Sequence, residues 1–429
     1  MERLLRSRPR APGLPGLLAV WLLLFAGRVA AAEGELPRNA AAGPRGAVAT
    51  GAALASEAGL AALQRGGNAV DAAIAAALTL GVVDGNNSGL GGGCFLLVQR
   101  PDGRVVAIDG RETAPAAARE EMFLRDGVAD PESSRTGALA VGVPGALAAY
   151  DYAARHFGRR PLREALESAA ELAERGFVVD DRYAARLRET ARDLARFDDT
   201  RRIFLRPDGT PWLKGDRLAQ PELAASYRAI ARDGIGWFYR GRFAAATEVW
   251  MRAHGGLVTA RDFARYRLQL REPVRTTYRD CEIVGFPPPS SGGVHVAQIL
   301  NLLERFDLAA MGAGSADFIL VTTEAMKLAF ADRAYWLGDP AFAVVPRALV
   351  SKAYAAQRGA MIRLDVAPPV ADHGEPAGAT GAFGRHTTHF STADAAGWWV
   401  AATATLNTTF GAKVVVPGTG IMLNNQMDD

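Results

Sequence analysis

Residues 68–83, Asn-Ala-Val-Asp-Ala-Ala-Ile-Ala-Ala-Ala-Leu-Thr-Leu-Gly-Val-Val, would present apolar side chains on nearly every side of a helix. A helix lying on a protein surface keeps one polar side, so a segment without one belongs between layers. The flanking pattern supplies candidate layers. An alanine-rich helix is predicted over 52–64, separated from the first by Gly66-Gly67. After the glycine loop Gly89 to Gly93 come two strand-like runs, Phe95 to Gln99 and Arg104 to Asp109, joined by the turn residues Pro101-Asp102-Gly103. Amphipathic helices fit 161–175, 181–197, 220–233 and 242–254, and Thr259 with Asp262 reads as a capping box. Residues 274–284 alternate like one strand, and long helices fit 293–305 and 315–336. Residues 364–386 are rich in Pro, Gly and Ala and read as an exposed linker. Strands gather towards the two ends of the chain with helices between them, which suits helices packed around paired sheets.

Composition narrows the function. Residues 1–32 read as a secretory leader: Arg3, Arg6, Arg8 and Arg10, an apolar core from Leu14 to Ala26, then Ala30-Ala31-Ala32 before Glu33. The formal charge of +3 includes five arginines and one glutamate of this leader, so the remainder carries −1. A near-neutral chain gives no reason to expect nucleic acid as a partner. Cys94 and Cys281 are the two cysteines, too few for a disulfide scaffold or a four-cysteine zinc site. Cys94 opens an apolar run and reads as a buried small residue. Their spacing argues for no disulfide, although an oxidising compartment would permit one. The Gly89–Gly93 loop precedes a strand rather than a helix, and no Gly-Lys-Ser/Thr is present, so close backbone packing explains it better than a nucleotide. His295, His386 and His389 match no metal pattern such as His-Glu-x-x-His, and none is assigned a catalytic role.

The stretch from His386 to Gly411 carries the chemistry. Thr387 begins a short alternating run to Thr392, Asp394-Ala395-Ala396-Gly397 supply a turn, and a second run extends from Trp398 to Thr405. Such a hairpin brings Thr405 back towards Thr387. If the chain is cut before Thr387, the freed α-amine titrates near pH 8 and is a base for its own hydroxyl.

Seven motifs occur in order: Gly-Gly-Asn-Ala-Val-Asp-Ala-Ala (66–73), Gly-Leu-Gly-Gly-Gly (89–93), Ile-Asp-Gly-Arg-Glu-Thr-Ala-Pro (108–115), Pro-Pro-Pro-Ser-Ser-Gly-Gly-Val-His (287–295), Thr-Thr-His-Phe-Ser (387–391), Thr-Leu-Asn-Thr-Thr-Phe-Gly (405–411) and Leu-Asn-Asn-Gln-Met-Asp-Asp (423–429). On these the chain resembles the γ-glutamyltranspeptidase (glutathione hydrolase) family of N-terminal-nucleophile hydrolases. The resemblance implies an α+β fold, the four-layer αββα sandwich, with 33–386 as large subunit and 387–429 as the start of a small subunit, both in one domain. It implies self-cleavage between His386 and Thr387 and catalysis by Thr387 through a γ-glutamyl-threonine intermediate, with neither cofactor nor metal. Thr388 is the competing register. Glutathione and other γ-glutamyl compounds would be substrates, with water or amino-acid and peptide acceptors.

Residue by residue, the resemblance places Thr405 on the nucleophile's hydroxyl, and Asn407, Gln426 and Asp429 at the substrate's α-amino end. Arg111 would fork onto the α-carboxylate, which lysine does less well; otherwise it is a surface arginine paired with Glu112. Arg111 with Asp429 suits a zwitterionic glutamyl end better than a glutaryl one. Family members continue past the position of Asp429 with paired serines, oxyanion-hole glycines and core strands, so the fold is expected to be incomplete at the C-terminus. Alternatives are a related acylase of cephalosporin or poly-γ-glutamate type, or an inactive truncated member.

Overall fold

The computed structural model describes residues 43–369, 372–376 and 388–429. The leader, His386 and Thr387 lie outside the described residues.

The chain opens with strand β1 (Gly46–Ala49), helix α1 (Ala53–Gln64) and helix α2 (Ala69–Val83). Every residue of α2 is buried, as a helix apolar on all sides requires. It starts at a capping box. Asn68 Oδ1 accepts from the Asp71 amide at 3.2 Å, and Asp71 Oδ2 accepts from the Asn68 amide at 2.8 Å. The Asn-Ala-Val-Asp motif thus has a structural purpose. Strands β2 (Gly93–Gln99) and β3 (Val105–Gly110) form the expected hairpin, with Gly103 at φ +81° in its turn.

Helices α3 (Ala146–Phe157), α4 (Leu162–Arg175) and α5 (Pro221–Asp233) follow, then β4 (Gln269–Arg271), β5 (Val274–Tyr278) and β6 (Cys281–Gly285). The single strand read over 274–284 is two antiparallel strands, because the chain turns at Arg279 with φ +52°. The helix read over 181–197 runs from Asp181 to Leu194, and a separate helix, Asp198–Phe204, follows it. Helices α6 (Gly292–Leu303) and α7 (Ala316–Trp336) complete the middle of the chain. Strands β7 (Thr388–Asp394) and β8 (Trp399–Thr405) form the late hairpin, with Gly397 at φ +89°.

The main sheet has six strands in the order β1-β7-β8-β2-β3-β4, all neighbours antiparallel. The late hairpin therefore lies inside the sheet. Ala393 pairs with Ala47, and Ala404 with both Thr388 and Cys94. Phe390, Thr392, Val400, Ala402 and Ala404 are buried towards α2, which packs on β7 and β8. The Thr392 hydroxyl donates to the Ala69 carbonyl at 2.6 Å, fixing that register. Residues 45–429 form one unit. Cys94 is buried, Cys281 is exposed, and both are free thiols.

A sealed polar cluster joins α6, α7 and the segment 372–374. Asp332 is fully buried; its Oδ1 accepts from Arg358 Nη2 at 3.0 Å and the Gly374 amide at 2.6 Å. Its Oδ2 accepts from the Tyr354 hydroxyl at 2.9 Å and from Gln298 Nε2. The Gly374 carbonyl in turn accepts from Trp336 Nε1 at 2.8 Å.

Candidate active site

Close approach of three backbone segments builds the site. A side-chain carbon at Gly91 would strike the Met422 carbonyl, one at Gly92 the Thr405 carbonyl, and one at Gly93 the Glu112 carboxyl. The glycine loop is thus a packing device, as its context indicated. Through it, β2 meets the end of β8 and the segment 422–425. Asn424 is fully buried: its Nδ2 donates to the carbonyls of Gly91 at 2.7 Å and Gly142 at 2.8 Å, and its Oδ1 accepts from the Gly142 amide at 3.0 Å. Asn425, equally buried, accepts from the Thr408 amide at 3.0 Å and donates from its own amide to the Leu406 carbonyl at 3.0 Å. These two asparagines carry Gln426 and Asp429 to the mouth of a cleft of about 970 Å³.

Five of the residues singled out in the sequence line that cleft: Arg111, Thr405, Asn407, Gln426 and Asp429. Arg111 forms an ion pair with Asp429 across 318 positions of sequence, with side chains 28 % and 6 % exposed. Its guanidinium lies 5.9 Å from the Phe95 ring centroid, and its carbonyl accepts from the Tyr266 hydroxyl at 2.8 Å. Gln426 Nε2 donates to Asp429 Oδ2 at 2.7 Å. Thr405 Oγ1 accepts from the Asn407 amide at 2.8 Å, and Asn407 Nδ2 donates to the Asn425 carbonyl at 3.0 Å. Asn407 sits at φ +76°, Phe410 at +58° and Lys413 at +64°. Three side-chain-bearing residues in left-handed backbone within seven positions is a costly turn, of the kind that clusters at functional sites.

Glu112 does not form the surface pair with Arg111 that is the alternative reading of that arginine. It is buried, neither carboxylate oxygen has a hydrogen-bond partner among the described residues, and burial pushes its pKa up to about 8. It lines the same cleft. Behind the hairpin, burial raises the Asp84 carboxyl to about 6, opposed by hydrogen bonds from Asn87 and Thr388. Burial lowers the Lys413 ammonium, which donates to the Gly411 carbonyl at 2.7 Å and braces the strained turn. Among residues the sequence did not single out, Asn424 and Asn425 were visible as part of a motif. Glu112 could be flagged only by its burial.

The comparisons with known proteins agree with one another. A family model described as Gamma-glutamyltranspeptidase matches residues 55–429. The Acylase ACY 1 proenzyme of Pseudomonas sp. (strain SE83) is 44 % identical over 398 residues, covering 91 % of this chain and 70 % of that protein. The Glutathione hydrolase proenzyme of Escherichia coli (strain K12) is 42 % identical over 388 residues, covering 90 % and 67 %. Among solved structures, Helicobacter pylori gamma-glutamyltranspeptidase superposes with a TM-score of 0.76 at 36 % identity, covering 80 % of this chain and 97 % of that one. Cephalosporin acylase from Bacillus halodurans gives 0.81 at 30 % identity, covering 93 % and 72 %.

Proposed function

The chain belongs to the γ-glutamyltranspeptidase family, and on that premise we propose that it is a self-processing γ-glutamyltransferase and glutathione hydrolase with Thr387 as its nucleophile. The observation that carries this reading is the convergence of Arg111, Thr405, Asn407, Gln426 and Asp429 on one cleft. Thr403 and Thr405 face the cleft, whereas Thr388 and Ala404 face the helix layer. Thr388, on the buried side, is poorly placed to meet a substrate in the cleft, which supports Thr387 over Thr388 as the nucleophile.

In the precursor the Thr387 hydroxyl attacks the His386 carbonyl. The peptide bond to nitrogen breaks as the ester forms, which frees the α-amine; water then hydrolyses the ester, releasing the hydroxyl and a carboxylate on His386. In the mature protein that amine accepts the hydroxyl proton as oxygen attacks the γ-carbonyl of a glutamyl amide. The leaving amine departs protonated, and water or an acceptor amine takes the γ-glutamyl group from Thr387.

The Arg111–Asp429 pair supports a zwitterionic substrate end. A glutamyl α-carboxylate exchanges for Asp429 on Arg111, while its α-ammonium exchanges for Arg111 on Asp429, so no charge is left alone. A glutaryl group would satisfy Arg111 and strand Asp429. The acylase reading has its own support in the relatives named acylase; relative turnover of γ-glutamyl and glutaryl anilides separates the two. The four-layer αββα arrangement, the division into 33–386 and 387–429, and export directed by residues 1–32 belong to the same proposal.

Thr387→Ala should leave a single polypeptide on a denaturing gel. In unsubstituted protein the smaller piece should begin Thr-Thr-His-Phe-Ser by N-terminal sequencing. A variant that still yields two bands would refute the assignment.

A further inference from the structure

We propose that Arg267 forms a second anion subsite in the cleft, selecting γ-glutamyl amides whose leaving amine itself carries a carboxylate. This rests on the γ-glutamyl reading above and extends it to the other half of the substrate. A cleft of about 970 Å³ is the size that encloses a whole drug-sized ligand, so the leaving portion lies against protein as well.

Arg111, Arg267, Arg271 and Arg333 bring positive charge to its wall. Arg111 is paired with Asp429. Arg271 is neutralised by Asp109 at 2.5 Å and Asp339 at 3.5 Å. Arg333 lies over Phe330, 6.0 Å from the ring centroid. Arg267 differs: it has no carboxylate partner among the described residues. Its Nη1 donates to the carbonyls of Ala264 at 3.0 Å and Tyr266 at 2.7 Å, at the end of the helix Ala260–Arg265. Those bonds fix the guanidinium plane and use one of its three nitrogens. Nε and the other terminal nitrogen remain as a parallel pair of donors, the arrangement that takes a carboxylate bidentately. Because the helix end already holds the side chain, little rotamer freedom remains to be lost on binding. The neighbouring Tyr266, through its bond to the Arg111 carbonyl, ties this subsite to the residue that grips the glutamyl end.

The test uses two matched substrates on the full chain, γ-glutamyl-4-nitroanilide and its 3-carboxy derivative, with Arg267→Gln and Arg267→Lys. Glutamine keeps a donor for the helix-end carbonyls but not the charge; melting temperature checks that both variants fold. The unsubstituted protein should favour the carboxylated anilide roughly ten-fold in kcat/KM, mainly through KM. Arg267→Gln should erase that preference without slowing the uncharged anilide, and Arg267→Lys should restore part of it. Equal loss on both substrates, or no preference in the unsubstituted protein, would overturn the subsite alone. No turnover of either anilide would remove the γ-glutamyl reading, and the subsite with it.

Discussion

Two arginine–aspartate pairs in this molecule have the same chemistry and different surroundings. Asp332–Arg358 is sealed, with side chains 0 % and 7 % exposed, and both aspartate oxygens are filled by protein donors. Asp429–Arg111 opens on the cleft, the arginine 28 % exposed. Burying two charges costs several kcal/mol per ion unless geometry and extra hydrogen bonds repay it, and the first pair has those bonds. The second is finished on one side only, by Gln426 and the Phe95 ring. A pair with a solvent-facing side can exchange its partners for those of a solute. The sealed pair holds structure together, whereas the open one is suited to recognition.

The contrast can be broken by substitution. Asp332→Ala should cost the most, about 3–5 kcal/mol of unfolding free energy, because Arg358 would be left charged and buried; denaturant titration measures it. Arg111→Gln should behave in the opposite manner. Stability should fall by less, about 1–3 kcal/mol, because Asp429 keeps its bond from Gln426 and an opening to the cleft, while KM for a γ-glutamyl anilide rises roughly 10–100-fold. A large stability loss there would make the second pair structural like the first.

Glu112 sharpens the comparison, being a buried acid beside the open pair whose carboxylate has no hydrogen-bond partner among the described residues. Its carboxyl ionises near 4.5 in the unfolded chain and at about 8 in the fold. The fold therefore holds a proton that the unfolded chain has released, so this group's contribution to stability falls as pH rises between those values. The decline is at most about 1.4 kcal/mol per pH unit. Glu112→Gln, neutral throughout, should lack that decline relative to the unsubstituted protein when denaturation midpoints are compared from about pH 5 to about pH 8.

Legibility in the sequence followed the strength of the local signal. The β2–β3 turn was readable from Pro101-Asp102-Gly103, and the cap at Thr259 from Asp262 three residues on. The β5–β6 turn was not, because Arg279 takes a left-handed conformation with no glycine to announce it. The turn from Asn407 to Lys413 hides in the same way. It is held by Asn425 and Lys413 rather than by intrinsic preference. Helix α3 was overlooked, with its weak alanine pattern after Pro144-Gly145. At the site, Arg111, Thr405, Asn407, Gln426 and Asp429 were each nominated from motifs, and their meeting in one cleft is tertiary information. Glu112 was not nominated: its adjacency to Arg111 suggested only the alternative surface pair, which the fold does not make, and its burial leaves no mark in the local sequence.

The strand order carries a last consequence. Residues 388–405 are flanked on one side by a strand from residues 46–49 and on the other by one from residues 93–99. A nick just ahead of residue 388 would leave the downstream fragment interleaved with the upstream one along both borders. Separating the fragments would mean tearing two ladders at once, so nicked material should co-migrate on a sizing column and melt in one step.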